Sequence, residues 1–299
     1  MAQAARRESP THASVWRIEF ARELAPFYSG HEKVRAIILS GSPPKGLSDA
    51  YSDLDMIVFW DEIDVAWLES AQLRDLDCER VYFRELKGAD ILLESYYFGA
   101  LKVDFGHVTK DAWKKTVDEV LVDHSIAPSS QGPLGGFLHS LPLWGEEFFR
   151  EWHARVEAYP DELAEKMVRG NLRLFVEGYL LHQAFGRGDV LAYYDGVCRT
   201  LKTLLDILAG LNRMYSFTEE PRWIEYYLSR IEIRPENAWE RVRATLLESG
   251  EPAVEILEGL IDDVLDLVAE RMPAVDVAGL RERRAKMRVG ARHDKPRAE

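Results

Sequence analysis

Residues 38–58 contain the side chains whose types and spacing best suit chemistry, namely the turn Gly41-Ser42 and the two carboxylates Asp53 and Asp55. Glycine lets backbone amides approach an anion closely, and a serine hydroxyl can donate a hydrogen bond to a phosphate oxygen. Because Asp53 and Asp55 are two residues apart, their carboxylates point to one face of an extended chain. Adjacent carboxylates repel each other unless a cation lies between them, and their oxygens suit Mg²⁺ or Mn²⁺. An anion-binding turn beside a divalent-cation site is what a nucleoside triphosphate such as ATP requires.

The same loop contains a near match to a different phosphate-binding motif, the P-loop, which the sequence excludes. Gly41 and Gly46 have the spacing of the two P-loop glycines, but Leu47-Ser48 follow where that motif needs lysine and then serine or threonine. Lys45 lies inside the loop and is a candidate for a phosphate contact.

The elements that must position this loop are those of a mixed α/β domain. Apolar runs bounded by turn residues predict four short buried strands, the last two joined as an antiparallel hairpin by Gly99-Ala100. The predicted strands span 34–40, 54–60, 91–98 and 101–109. Helical spacing of apolar residues predicts one helix before the first strand, over 17–28, and another after the second strand, over 61–76.

The composition changes after residue 127. Residues 128–136 are the richest cluster of turn-forming residues in the chain, so we predict a linker or long loop over 128–145. Helical periodicity then predicts an all-helical bundle over 146–275, followed by a basic, frayed and solvated tail over 276–299. The predicted helices span 146–158, 161–185, 189–211, 219–230, 235–248 and 252–271. We therefore predict an α+β fold, in which a small mixed-sheet domain over 1–127 precedes an all-α bundle domain.

Composition and charge exclude or disfavour several classes of protein. The 299 residues carry a net charge of −13, and because residues 280–299 contribute +5, the first 279 carry −18. That balance disfavours nucleic acid as a partner, since non-specific binding depends on cations that neutralise phosphates. No apolar stretch approaches the ~20 residues of a membrane span, and none follows Arg6-Arg7 as in a signal peptide, so we expect a cytoplasmic protein without a membrane partner. Two cysteines and eight scattered histidines predict neither a disulfide framework nor a zinc site.

An apolar strand, Gly41-Ser42, ten further residues and then an Asp-x-Asp on the next strand resemble the signature of the DNA-polymerase-β-like nucleotidyltransferase superfamily. The resemblance covers about residues 30–110 and implies a nucleotidyltransferase domain with a third carboxylate on a later strand. The metal-binding and catalytic residues that it implies are Asp53, Asp55 and Asp104, with Mg²⁺ or Mn²⁺ as the cofactor. The nucleotide-binding residues that it implies in this domain are Gly41, Ser42 and Ser52.

Asp104 is the best match to the third carboxylate because it lies in the middle of the second hairpin strand. Val103 and Phe105 would face the opposite side of the sheet, and Gly106, on the same side as Asp104, would leave room for a ligand. A carboxylate inside an apolar strand is costly without a partner. A metal ion, Lys102 or another cation could be that partner, and Asp104 could either bind a second metal ion or accept a proton from the acceptor.

Three further polar residues have ordinary explanations. Asp49 is interpreted as a turn residue, since aspartate is common in turns. Glu94 could help to deprotonate an acceptor, although a solvated or ion-paired glutamate is the more common situation. His107 follows Asp104 by three residues, which places it on the opposite face of a strand and suggests a structural role.

A nucleotidyltransferase domain followed by a helical bundle also resembles the aminoglycoside and lincosamide nucleotidyltransferases and their bacterial relatives. This resemblance implies transfer of a nucleoside monophosphate, AMP from ATP, to a hydroxyl of a small molecule such as an antibiotic, with release of pyrophosphate. It implies that the helical half supplies a cation to the triphosphate, for which Arg199 and Lys202 are candidates. Two alternatives stay open: a transferase that modifies a protein side chain with AMP, and a non-catalytic nucleotide-binding protein on the same scaffold.

Overall fold

A computed structural model describes residues 9–71, 73, 76–85, 90–174 and 179–287 of the chain. The chain divides into two compact units. The first unit combines Met1–Asp123 with Pro133–Ala158, and the second combines His124–Gly132 with Tyr159–Glu299. The first unit contains a six-stranded mixed sheet with helices packed on it, and the described part of the second unit is helical. The predicted α+β fold class is confirmed.

The sheet of the first unit has the strand order β3-β4-β5-β2-β1-β6. Its strands are β1 (Val34–Ser40), β2 (Leu54–Trp60), β3 (Glu79–Glu85), β4 (Ile91–Phe98), β5 (Leu101–Thr109) and β6 (Leu141–Trp144). β2 and β5 run parallel, whereas every other neighbouring pair is antiparallel. Because β2 and β5 are parallel neighbours, their first residues lie at the same edge of the sheet. The four predicted strands coincide with β1, β2, β4 and β5, and the hairpin is confirmed.

The helices of the first unit cover both faces of the sheet. They are α1 (His12–Ser29), α2 (Val65–Ala71), α3 (Lys110–Leu121), α4 (Pro128–Leu138), which enters this unit at Pro133, and α5 (Glu146–Glu157). On one face, the buried side chains of α1 join those of the strands in a hydrophobic core that includes Leu24, Tyr28, Met56 and Phe105.

The opposite face of the sheet packs through aromatic rings. Phe59 of β2 lies 5.6 Å from Trp113 of α3, 6.0 Å from Phe137 of α4 and 5.2 Å from Phe148 of α5, measured between ring centroids. The sheet is therefore a buried central layer, and its polar side chains are accessible only where the helices leave the strands uncovered.

The described part of the second unit is a set of helices around α7. Its helices are α6 (Asp161–Gly170), α7 (Val190–Leu211), α8 (Ile224–Leu228), α9 (Ala238–Leu247), α10 (Glu251–Arg271) and α11 (Val277–Met287), with short irregular helices over Tyr179–Ala184 and Phe185–Arg187. The predicted helix over 161–185 is interrupted after Gly170, and its residues 175–178 lie outside the described residues. The predicted helix over 219–230 is reduced to α8. Across the described ranges of both units, no helix combines the length and the apolar character that a membrane crossing needs.

Residues 128–145 differ from the predicted linker, because they form α4 and β6. Leu134 and Phe137 of α4 are buried, and this tertiary packing overrides the turn-forming composition of the segment. β6 pairs antiparallel with β1, with Leu141 opposite Leu39. α5 also belongs to the first unit, so the boundaries of the two units differ from the predicted domain boundaries at 127 and 146.

Residues 276–287 differ from the predicted frayed tail, because they contain α11. Leu280 and Arg284 of this helix are buried. Arg284 donates hydrogen bonds of 2.9 and 2.7 Å to the two carboxylate oxygens of Glu258 on α10. The rest of the predicted tail, 288–299, lies outside the described residues.

Candidate active site

Gly41 follows β1 directly and places the backbone against the carboxylate of Asp55. Its φ of +75° lies in the left-handed region that favours glycine. A Cβ added at this position would overlap Oδ2 of Asp55 and would lie 3.3 Å from its Cγ. Position 41 therefore requires glycine for two reasons, its backbone conformation and the space that Asp55 occupies.

The loop after Gly41 is fastened to the start of α1. The hydroxyls of Ser42 and Ser48 are hydrogen-bonded at 3.0 Å, and Leu47 N–H donates to the carbonyl of Ser42 at 3.1 Å. Thr11, the N-cap of α1, donates from its hydroxyl to the carbonyl of Ser48 at 2.7 Å, and Ser48 N–H donates to the hydroxyl of Ser14 at 3.0 Å. These contacts hold the predicted phosphate-binding turn in one conformation.

Asp49 and Ser52 form a tight turn before β2. Tyr51 N–H and the Ser52 hydroxyl both donate to Oδ1 of Asp49, at 2.9 and 3.0 Å. These hydrogen bonds, that of Tyr51 first, lower the pKa of Asp49. The aspartate is therefore a turn residue, as its type suggests.

Arg17 of α1 is a residue of this region that the sequence analysis did not single out. Its side chain is buried and donates two hydrogen bonds to the carbonyl of Ser52, at 3.0 and 2.6 Å. Burial lowers the pKa of Arg17, while the charges of Asp49 and Asp53 raise it. The sequence does indicate that Arg17 has polar partners, because an arginine on the buried side of an amphipathic helix needs them. It does not indicate which residues those partners are.

Asp55 and Asp104 are register partners on the neighbouring parallel strands β2 and β5. Asp104 accepts a hydrogen bond of 2.5 Å from the hydroxyl of Ser95 at Oδ1 and one of 2.7 Å from the ammonium of Lys102 at Oδ2. As predicted, Val103 and Phe105 are buried on the opposite face.

The pKa of Lys102 depends on all three predicted carboxylates. The hydrogen bond from Lys102 to Asp104 raises the pKa of the lysine most, and the charges of Asp104, Asp53 and Asp55 raise it further. The structure therefore brings the three predicted carboxylates within electrostatic range of one ammonium group. Lys102, one of the partners that the sequence left open for Asp104, lies within hydrogen-bond distance of it.

Lys45 lies next to the Gly41 turn. Its ammonium donates to the carbonyl of Gly41 at 2.9 Å. Burial lowers the pKa of Lys45, and the charge of Asp55 opposes that effect. A positive charge therefore lies next to the Gly41-Ser42 turn, where a phosphate group would need one.

The donor chemistry of Asp53 and Asp55 fits Mg²⁺ or Mn²⁺, since both supply carboxylate oxygens and Asp55 lies against the glycine turn. Within the described ranges, no three His, Cys, Asp or Glu side chains are already grouped as a metal site. Asp104 has a hydrogen-bond partner on each of its two oxygens, Ser95 on one and Lys102 on the other. Asp53 and Asp55 thus fit a divalent ion, whereas Asp104 would first have to release Lys102.

Glu94 and His107 form a buried network on the face of the sheet opposite Asp104. Glu94 accepts hydrogen bonds from the hydroxyls of Tyr28, at 2.5 Å, and Tyr96, at 3.1 Å. His107 Nδ1 accepts from the indole N–H of Trp60 at 3.1 Å, so its Nε2 carries the proton that it donates to Glu94 at 3.1 Å. Glu94 is therefore buried and paired, not solvated, and both residues have structural roles.

Arg199 and Lys202, the predicted triphosphate ligands of the helical half, lie on α7 of the second unit. Arg199 forms an ion pair of 2.9 Å with Asp195 on the same helix. Burial raises the pKa of Asp206, and hydrogen bonds from Ser216 and Thr218 and the charge of Lys202 oppose that effect. A contact of either cation with a nucleotide stays a prediction.

Searches among known proteins found likeness in structure and none in sequence. No protein-family profile matches this chain, and no curated protein matches it. A nucleotidyltransferase-like protein from Exiguobacterium sibiricum is similar with a TM-score of 0.37 and 13% identity, over 87% of this chain and 81% of that one. Cid1 with its short product ApU gives a TM-score of 0.27 and 15% identity, over 44% of this chain and 41% of Cid1. A mutant of the Cid1 poly(U) polymerase bound to MgATP gives 0.27 and 13%, over 59% and 55%. This chain therefore spans only about half of Cid1, and likeness at this level assigns no function.

Proposed function

We propose that this chain is a metal-dependent nucleotidyltransferase of the DNA-polymerase-β-like kind, which transfers AMP from ATP to a hydroxyl of a small molecule and releases pyrophosphate. One observation carries the proposal: Asp55 and Asp104 are opposite each other on adjacent parallel strands, with Gly41 packed against Asp55. Carboxylates and a glycine-serine turn thus lie together at one end of the central strands, which supports a role in binding a metal-bound triphosphate.

The proposed roles of the residues follow from their positions. The backbone at Gly41 and the hydroxyl of Ser42 would bind the terminal phosphates, with Lys45 beside them. Asp53 and Asp55 would hold a divalent ion, which supplies charge neutralisation at the triphosphate when bound. A bond forms between the acceptor oxygen and the α-phosphorus, the bond from that phosphorus to the β-phosphate oxygen breaks, and a carboxylate of the cluster, with Asp104 as the candidate, takes the hydroxyl proton.

The acceptor is proposed from charge and from the resemblance of the domain order to the antibiotic nucleotidyltransferases. A net charge of −13 favours encounter with a cationic molecule over an anionic one. An amino sugar or a related antibiotic with a free hydroxyl is a compound of that kind.

The test is pyrophosphate release from ATP and Mg²⁺ in the presence of a panel of small hydroxyl compounds, cationic and neutral. Asp53→Asn should lower the rate by roughly a hundredfold or more, because a ligand of the ion is lost. Asp49→Asn is the matched control, since asparagine keeps the acceptor oxygen of the turn, and we expect its rate to be unchanged.

Labelled ATP separates the proposal from its alternatives. Label that moves to a small compound supports it, and label that moves to protein would replace it with a protein AMP-transferase. Nucleotide binding without pyrophosphate release from any compound would indicate a non-catalytic protein.

A further inference from the structure

Lys102 completes a group of four charged side chains at the first residues of the two central strands, β2 and β5. The register between the parallel strands pairs Leu54 with Val103 and Asp55 with Asp104. Asp53 is the residue directly before β2, next to Leu54, and Lys102 directly precedes Val103 on β5. Because side chains alternate along a strand, positions 53 and 55 on one chain segment and 102 and 104 on the other lie on the same face. Three of these four side chains are carboxylates, and the fourth, Lys102, carries an ammonium.

The ammonium of Lys102 points toward the carboxylate of Asp104. Its Nζ lies 2.7 Å from Oδ2 of Asp104, and the Ser95 hydroxyl occupies the other oxygen of that carboxylate. The side chains of Lys102 and Asp104 are exposed by only 34% and 31%, so the pair is partly shielded from solvent. Such pairs are less weakened by water and salt than fully exposed ones.

Lys102 reduces the net charge of the three carboxylates from −3 to −2, and the ammonium of Lys45, on which the charge of Asp55 acts, reduces it further to −1. Each ammonium weakens the attraction of the site for a further divalent ion, so removal of Lys102 would strengthen that attraction. A second divalent ion on Asp104 would have to displace the ammonium, at the cost of the ion pair, or lie next to it, where the positive charges repel.

We propose that Lys102 takes the place of a second metal ion, so that the site binds one divalent cation on Asp53 and Asp55 while Asp104 stays paired with the lysine. This inference rests on the proposed function. It makes Lys102 a positioning residue that holds Asp104 and contributes the second positive centre of the site.

The test counts metal ions directly. Crystals soaked with Mn²⁺ and a non-hydrolysable ATP analogue should show one anomalous peak in the wild type, on Asp53 and Asp55, with Lys102 still on Asp104. Lys102→Met should show a second peak on Asp104. Lys102→Arg, which keeps the charge, should show one peak.

Titration with Mn²⁺ alone, followed by the electron paramagnetic resonance signal of the free ion, gives an independent measurement. Lys102→Met should bind Mn²⁺ about tenfold more tightly than the wild type, because a neighbouring positive charge is removed. Lys110→Met is the matched control, since Lys110 forms a similar ion pair of 2.9 Å with Asp61 at the other end of the strands. Its Mn²⁺ affinity should equal that of the wild type, and thermal unfolding checks that each variant is folded.

The outcomes separate this inference from the function on which it rests. Two peaks in the wild type, or a Lys102→Met variant with one peak and unchanged affinity, would overturn the role of Lys102 and leave the proposed function standing. A wild type that binds no Mn²⁺ at Asp53 and Asp55 would overturn both.

Discussion

Gly41 shows how one residue can connect backbone geometry to the chemistry of a site. The left-handed turn brings the backbone so close to Asp55 that no side chain fits between them. The carboxylate of Asp55 is thereby fixed beside the turn that would bind phosphate. A side chain at position 41 would disturb both the conformation of the turn and the orientation of the Asp55 carboxylate.

Gly41→Ala should therefore weaken Mn²⁺ binding by at least about tenfold, because the new methyl group displaces the Asp55 carboxylate. The free energy of unfolding should also fall by about 1–2 kcal/mol, since alanine is strained at this φ. Mn²⁺ titration and urea unfolding measure the two effects separately.

Gly188→Ala controls for the backbone strain alone. Gly188 has a φ of +77°, and a Cβ there would meet nothing within 4 Å. Its unfolding free energy should fall by a similar amount while Mn²⁺ affinity stays unchanged. Equal losses of Mn²⁺ affinity in both variants would contradict the role given to Gly41.

At the scale of elements, the buried network around Glu94 joins α1 to three strands of the sheet. Tyr28 contributes from α1, Trp60 from β2, Tyr96 from β4 and His107 from β5. Burial raises the pKa of Glu94, but the hydrogen bonds from His107, Tyr28 and Tyr96 outweigh burial and hold that pKa below its ordinary value of 4.5. The charged form is therefore the one that stabilises the fold.

Glu94→Gln should lower the unfolding free energy by about 1–3 kcal/mol at pH 7, because an ionised acceptor is replaced by a neutral one. Since the folded pKa lies below the unfolded one, the stability from the ionised carboxylate is complete above pH 4.5 and is lost as the pH falls through the folded value. The difference between wild type and variant should thus shrink on acidification, as urea unfolding at several pH values would show.

Glu62→Gln is the matched control for this change. Glu62 pairs with Lys33 on the surface and is 74% exposed. Its substitution should change the unfolding free energy by no more than about 0.5 kcal/mol. A pH-independent cost of Glu94→Gln would contradict the ionised state assigned to Glu94.

The helix α11 gives a second prediction at this scale. Arg284→Met should lower the unfolding free energy by about 3 kcal/mol, because it leaves the buried carboxylate of Glu258 without its charged partner. Arg281→Met, which removes a more exposed pair with Asp266, should cost less than about 1 kcal/mol. Thermal unfolding of the two variants compares them, and similar midpoints would mean that α11 is not part of the folded core.

The elements that sequence reasoning could find are those whose pattern is local. β1, β2, β4 and β5 are apolar runs between turns, and their predicted bounds coincide with the observed ones. β3 was not predicted, because its residues, Glu79 to Glu85, mix charged and apolar types. β6 is four residues long and contains Pro142, and α4 contains Pro133 and three glycines. Both form through contacts with distant segments, which no local pattern contains.

The candidate site divides in the same way. The types and spacing of Asp53 and Asp55 were sufficient to select them, and Asp104 followed from the resemblance. Lys102 was one option among several for the partner of Asp104, because the sequence does not show how far its flexible side chain turns. Arg17 was not selected at all, since its contact with Ser52 joins residues 35 positions apart.

At the scale of the whole molecule, the net charge of −13 disfavours an anionic acceptor for the proposed transfer. We expect labelled oligouridylate to bind more weakly than about 10⁻⁴ M at 150 mM salt, because too few cations are available to neutralise its phosphates. Fluorescence anisotropy measures this directly, with a basic RNA-binding protein as the positive control. Micromolar binding that weakens steeply with salt would favour a nucleic-acid acceptor over a small molecule.

The first unit is discontinuous along the chain, since residues 124–132 belong to the second unit and β6 is reached only afterwards. During synthesis on the ribosome, β1 therefore emerges about a hundred residues before the strand that covers its outer edge. Until then the run Ala36-Ile37-Ile38-Leu39 offers an open, apolar strand edge to any neighbouring nascent chain. The yield of folded protein in the cell should consequently depend on chaperones that shield this edge. Because each unit combines two separate stretches of the chain, no single truncation point yields either unit intact.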